Sequence, residues 1–185
     1  MDWEPLQIID HFYPESDPAK AILLRHSTQV MEKALAILEN SPYAGSLDRE
    51  VIRAGALLHD IGIGKCHAPG IGCFGTLPYI AHGITGAAML RELSPELEVF
   101  ARICERHTGT GLTVADIKAQ QLPLPEQDFL PETPEEKLVC LADKFFSKSA
   151  DMKEKPLEKV RSSIAAFGSE NSARFAELCR EFGVK

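Results

Sequence analysis

The sequence predicts an all-helical fold, and three observations carry that expectation. Apolar residues recur at three- and four-residue spacing through most of the chain, polar caps followed by proline or acidic residues mark helix starts, and no convincing strand pattern interrupts them. At 185 residues, with 44% hydrophobic and 25% charged side chains, the composition is that of one globular domain with a real core. No run approaches the roughly 18 uninterrupted apolar residues of a membrane span.

The first helix signal is Ser16-Asp17-Pro18, a polar cap before a proline at the first helical position. It opens a helix over 19–40 whose apolar face carries His26 between Ile22 and Val30. Pro42, Gly45 and Ser46 break the pattern, which resumes over 48–61 with Ile52, Ala56 and His59 in one row. Gly62 and Gly64 stop this helix and leave His59 and Asp60 in its last turn. After a Gly- and Pro-containing loop over 64–79, Ile80, Ile84, Ala87 and Ala88 predict a helix with His82 near its beginning. Ser94-Pro95-Glu96 caps the next, along which Phe100, Ile103, Cys104 and His107 share a face until Gly109 and Gly111 end it.

Residues 113–131, with Pro123, Pro125 and Pro131, read as a loop containing one short helix at 114–120, a candidate lid directly after His107. Thr133-Pro134-Glu135-Glu136 is a capping box that starts a helix through Leu138, Leu141, Ala142 and Phe145 and carries Asp143. Helices over 157–167 and 172–182 follow, and they either pack on the domain or form a homodimer contact. Phe145, Phe146, Phe167, Phe175 and Phe182 read as core and helix packing, and His11 as surface.

Charge and cysteine usage narrow the function. A net charge of -7 argues against a broad nucleic-acid surface, because such binding draws on Lys and Arg neutralising phosphates, and it leaves room for a local phosphate pocket. Met1-Asp2-Trp3-Glu4-Pro5 has neither the positive charge nor the apolar stretch of an export signal, so the cytoplasm is the expected location and no membrane partner is expected. Cys66, Cys73, Cys104, Cys140 and Cys179 are an odd count without framework spacing, which suits reduced thiols. Cys66, His67 and Cys73 lack paired zinc-ligand spacing and read as plain loop, while Gly64, Gly70, Gly72 and Gly75 read as turn formers.

Nearly every helix carries a residue able to bind a metal, on or beside its apolar face. A histidine or carboxylate there must be paired or coordinated, or its desolvation costs several kcal/mol, on the order of 2–7. The most specific element is His59-Asp60-Ile61-Gly62, preceded by Ala56-Leu57-Leu58, with His26 upstream and Ala142-Asp143-Lys144 downstream. That order of His, His-Asp and Asp resembles the HD superfamily of metal-dependent phosphohydrolases, and within it the HDIG-bearing members. The resemblance covers about 25–149. It implies a helical bundle over 18–149, with 1–17 and 150–185 packed on the same domain.

By this resemblance His26, His59, Asp60 and Asp143 hold a metal ion that activates water and polarises a phosphoryl oxygen. His82 and His107 fall in the order used by binuclear members, in which Asp60 would bridge two ions. Imidazole and carboxylate ligands suit one or two divalent ions, iron or manganese first, with zinc, nickel or magnesium as alternatives. Ala81-His82-Gly83-Ile84-Thr85-Gly86 and Glu105-Arg106-His107-Thr108-Gly109 are similar to bacterial enzymes that split diadenosine tetraphosphate symmetrically. The run Leu130-Pro131-Glu132-Thr133-Pro134-Glu135-Glu136-Lys137 resembles uncharacterised HDIG proteins of archaea and anaerobic bacteria.

Many relatives place a basic residue directly after the motif, where this chain has Ile63. Lys65, Arg106 and Lys144 are therefore the candidates for substrate phosphate, with Asp60, Lys65 and Arg106 assigned to the chemistry and Arg25 and Arg102 as weaker choices. The implied function is hydrolysis of a nucleotide or other small phosphate ester or anhydride by a metal-activated water. Two other readings share the ligand order: a di-iron oxygenase related to myo-inositol oxygenase, and a non-catalytic ligand sensor.

Overall fold

The helix starts follow from side chains that satisfy the first backbone N–H groups. In the computed structural model, which describes residues 4–148 and 151–185, Asp17 accepts from the Ala19 N–H at 2.9 Å and sets Pro18 at the head of helix α2 (Pro18–Glu39). Asp48 caps α3 (Arg49–Leu58) by accepting from Glu50 and Val51. Helix α1 (Pro5–Phe12) precedes both, and α4 (His82–Leu93) and α5 (Glu98–Arg106) follow. Reciprocal capping boxes open α6 (Val114–Ala119), through Thr113 and Asp116, and α7 (Pro134–Asp143), through Thr133 and Glu136. Helices α8 (Leu157–Ala165) and α9 (Ser169–Glu181) complete the order.

Two apolar clusters form the core. Helices α2, α3, α5 and α7 enclose Val30, Ile52, Ala56, Ile103 and Leu138, and α8 and α9 extend this cluster with Val160, Ile164, Phe175 and Phe182. The second gathers Ile8 and Ile9 of α1 with Leu23, Leu58, Ile61, Leu90 and Cys104. Helix α3 and the turn after it feed both clusters, so His59 and Asp60 lie at their junction. Leu58 is fully buried there, and Leu58→Ala is expected to cost about 2–5 kcal/mol through lost contacts and an unfilled cavity.

Several elements differ from the sequence expectation. Helix α1 was not expected, because eight residues offer only two helical turns, yet Ile8 and Ile9 are fully buried. Helix α3 ends at Leu58, three residues before the expected end at 61, so His59 and Asp60 lie in the turn beyond it. A two-stranded antiparallel pair, β1 (His67–Ala68) with β2 (Cys73–Phe74), sits in the expected loop; strands this short leave no alternating pattern. Phe167 is 62% exposed rather than packed in the core, because it falls in the turn between α8 and α9. The 113–131 segment is anchored: Leu112 and Phe129 exchange backbone hydrogen bonds, and Arg174 of α9 reaches Asp116 at 2.7 Å. Among the described residues no helix is long and apolar enough to cross a membrane.

Candidate metal centre

Three histidines stand at helix ends and are oriented by one local device. His59 and His107 follow the last residues of α3 and α5, and His82 begins α4. Each Nδ1 lies 2.7 Å from the carbonyl oxygen three residues earlier, of Ala56, Cys104 and Tyr79 respectively. A carbonyl oxygen only accepts, so each Nδ1 carries the proton and donates. In the neutral ring each Nε2 is thereby left as a lone pair directed inward. His26, from the middle of α2, brings its Nε2 to 3.0 Å from Asp143 Oδ1 and 3.2 Å from Asp60 Oδ2.

Asp60, fully buried, divides its two oxygens. Oδ2 lies 3.2 Å from His26 Nε2 and 3.2 Å from His59 Nε2, while Oδ1 lies 3.3 Å from His82 Nε2 and 3.4 Å from His107 Nε2. The donor atoms form two groups, His26, His59, Asp60 and Asp143 in one and Asp60, His82 and His107 in the other, with all atoms of a group within 4.8 Å of one another. Both Asp60 oxygens and His59 Nε2 are buried without a well-oriented hydrogen bond, despite these short distances. Buried polar atoms left this way cost free energy in a structure that offers them nothing. The donor set fits divalent ions, in number, type and inward direction.

Electrostatics within the cluster are opposed and strong. Burial alone would raise the Asp60 and Asp143 carboxyls. His59 and Lys148 beside Asp60, and Lys144, His26 and His59 beside Asp143, outweigh it and hold both well below the usual carboxylate range. Burial lowers His59, but Asp60 and Asp143 overcome it and raise that imidazole to about 9. At His82 burial prevails and lowers it to about 3, and His107 is lowered for the same first reason. His82 and His107 are therefore neutral near pH 7, yet their Nε2 atoms lie 3.0 Å apart. With both Nδ1 protons donated to carbonyls, two lone pairs face each other across that gap.

The structure thus brings together His26, His59, Asp60, His82, His107 and Asp143. Of the basic candidates, Lys144 is at the cluster, its Nζ 2.8 Å from Asp143 Oδ2 and 2.9 Å from the His107 carbonyl oxygen. Lys65 is exposed and makes no ion pair with the cluster among the described residues. Arg106 turns away, donating to the Leu130 carbonyl at 2.8 Å and pairing with Glu132 at 2.7 Å, so it holds the segment before α7.

Two residues at the site were absent from the sequence reading. Lys148 places its Nζ 2.6 Å from Asp60 Oδ2 with its side chain only 11% exposed. It lies beyond the end of α7, where helical periodicity gives no direction, and its only signal was its place five residues after Asp143. Tyr13, after α1, donates its hydroxyl to the Ile61 carbonyl at 2.6 Å and accepts from the Gly64 N–H at 2.9 Å, bracing the turn that follows the His-Asp pair. No motif marked it.

Comparison with known proteins follows the same residues. The HD domain family model matches residues 23–147. A tRNA (cytidine(56)-2'-O)-methyltransferase of Picrophilus torridus is 38% identical over 133 residues, 72% of this chain and 34% of that protein. An uncharacterized protein of Methanocaldococcus jannaschii is 44% identical over 117 residues, 63% of this chain and 59% of that protein. The chain thus spans between about a third and three fifths of the length of these relatives. Among solved structures, the HD domain of the phosphodiesterase PgpH of L. monocytogenes superposes with a TM-score of 0.54 at 20% identity, covering 97% of this chain and 88% of that one. The same domain in complex with cyclic-di-AMP gives 0.50 at 18% identity over 94% and 92%. At such identity the likeness is one of fold.

Proposed function

This chain belongs to the HD domain family, and from that premise we propose that it is a metal-dependent phosphohydrolase acting on a nucleotide or other small phosphate ester or anhydride. The observation that carries the proposal is the 3.0 Å approach of His82 Nε2 to His107 Nε2 with both Nδ1 protons committed elsewhere. Two facing lone pairs in a buried site repel, and a cation coordinated by both turns the repulsion into binding.

On this reading His26, His59, Asp60 and Asp143 hold one divalent ion, and Asp60, His82 and His107 hold a second. Iron or manganese is favoured, with zinc, nickel or magnesium as alternatives. The ions would supply a water of near-neutral pKa as nucleophile and positive charge for the phosphoryl oxygens. The protein's own contribution is orientation. Carbonyl acceptors at Ala56, Tyr79 and Cys104 fix three imidazole rings and raise their basicity. Lys144 fixes the Asp143 carboxylate against the His107 carbonyl. We further take 18–149 as the catalytic domain, with α1, α8 and α9 accessory to it, and the cytoplasm as its location.

The test is phosphate release. Protein purified without chelator and supplied with Mn2+ or Fe2+ is assayed on nucleoside mono-, di- and triphosphates, cyclic dinucleotides and sugar phosphates. Turnover is expected for at least one class and is lost in Asp60→Asn and Asp143→Asn, which keep wild-type circular dichroism. Wild-type turnover in either folded variant sinks the proposal, as does oxygen consumption without phosphate release, which would assign the site to oxygenation.

A further inference from the structure

A cleft of about 440 Å³ opens beside the cluster, between the β1–β2 hairpin and the segment after α7. Its walls are largely apolar, formed by Ala68, Pro69, Ile71 and the ring of Tyr79, and among the described residues Lys148 is the only charged side chain lining it. Lys148 also belongs to the metal centre, because its Nζ touches Asp60 Oδ2 at 2.6 Å and lies 5.8 Å from the centre of the Tyr79 ring. Tyr79 in turn stacks on His82 at 4.8 Å between ring centres. The wall of the cleft and the ligand set therefore share two contacts. None of the six ligand residues lines the cleft, so Lys148, 2.6 Å from Asp60 Oδ2, is the group through which a phosphate lodged there would meet the metal centre.

Size and charge restrict what fits. The volume is near the lower end of the roughly 300–1,000 Å³ typical of small-molecule sites. One cation and the metal centre can balance one phosphate. Among the described residues no second cation lines the cleft, so a further phosphate group would face Ala68, Pro69 and Ile71 and gain no ion pair there. An uncharged organic body with an apolar face, as a nucleobase has, suits those walls. A purely structural Lys148 that only neutralised Asp60 would have no need of an open cleft on its other side.

We infer that the substrate is a phosphate monoester with an uncharged body of about nucleoside size, that its body lies in the Ala68/Ile71/Tyr79 cleft, and that Lys148 holds its phosphate. This rests on the phosphohydrolase reading and specifies its substrate class. Lys148 takes the position that the sequence pattern offered to Lys65 and Arg106.

The metal-loaded full chain is titrated with inorganic phosphate, and kcat/KM is measured for nucleoside monophosphates, dinucleoside tetraphosphates and cyclic dinucleotides. In Lys148→Met, phosphate affinity is expected to fall by about tenfold or more, the value of one charge-assisted hydrogen bond, while metal content per chain stays at the wild-type level. Lys148→Arg restores part of the affinity. Ala68→Leu, which narrows the cleft without touching a ligand, raises KM for monophosphates and leaves inorganic phosphate binding unchanged. Wild-type phosphate affinity in Lys148→Met overturns the role of Lys148, and dinucleotides turned over as well as monophosphates overturn the substrate class. If loaded wild type hydrolyses no phosphorylated compound, the phosphohydrolase reading falls, and the phosphate-affinity comparison alone decides Lys148.

Discussion

Gly62→Ala probes how the two ligand groups are held together. Gly62 has an ordinary φ of -83°, so an alanine there is not a conformational problem but a spatial one. An added Cβ would lie 2.2 Å from the His82 carbonyl oxygen and 2.5 Å from the Gly86 N, both backbone atoms of α4. Carbon contacts are comfortable at about 3.5–4.0 Å, so the start of α4 must retreat by roughly 1 Å or more. His82 opens that helix, and its Nε2 lies 3.3 Å from Asp60 Oδ1. Metal–ligand distances tolerate only about ±0.2 Å, so on the two-ion proposal a shift of this size would remove His82 from its ion while His26, His59 and Asp143 stay in place. The overpacking is expected to cost about 1–3 kcal/mol. Denaturant titration of the metal-free protein reads that cost, and metal quantification reads the loss of one ion per chain. Gly70→Ala is the control, because nothing lies within 4 Å of its added Cβ. A Gly62→Ala protein with wild-type stability and wild-type metal content would refute the reasoning.

Three further outcomes are expected. Tyr13→Phe strands the Ile61 carbonyl and the Gly64 N–H, with an expected cost of about 1–3 kcal/mol and a metal affinity lower by roughly 10–100-fold; thermal denaturation and metal titration check both, and no change in either contradicts the bracing role. Chelation lowers the melting temperature and added metal restores it, since an ion that binds only the native state at 100 times its Kd stabilises by about 2.7 kcal/mol; identical melting with and without chelator contradicts the ligand assignment. Burial would raise the Asp116 carboxyl, but hydrogen bonds from Thr113 and the Arg174 guanidinium outweigh it and lower it. Its stabilising contribution is therefore complete above the unfolded pKa of about 3.9 and is lost as pH falls through the lower folded value. The stability gap between wild type and Asp116→Asn, followed by denaturation from pH 7 to pH 3, should hold to about pH 5 and then shrink; a gap that widens on acidification contradicts the sign.

Local chemistry was legible in the sequence where it is self-contained. Asp17-Pro18 and the Thr133/Glu136 box mark helix starts because the cap satisfies its own backbone N–H groups, and both stand where the structure has them. The six metal-capable residues were singled out by the cost of polar groups on apolar faces together with a ligand order resembling that of the HD superfamily, and the fold does gather them. Direction was not legible. Arg106 neighbours His107 in the chain, but as the last residue of α5 it keeps its own helical direction, and it is drawn to Glu132 instead. Lys65 ends the short helical turn Ile63–Lys65 and is exposed there. Lys148 and Tyr13 reach the site only because tertiary packing returns their segments to it, and nothing in their neighbours' spacing encodes that return.

The most direct test of the binuclear centre is the number of metal ions per chain in protein purified without chelator, compared with His82→Ala and His107→Ala. About two ions in the wild type, falling to about one in each variant with the ion at His26, His59 and Asp143 retained, is the expected result. One ion in the wild type, unchanged by either substitution, would contradict the assignment of His82, His107 and the shared Asp60 to a second metal.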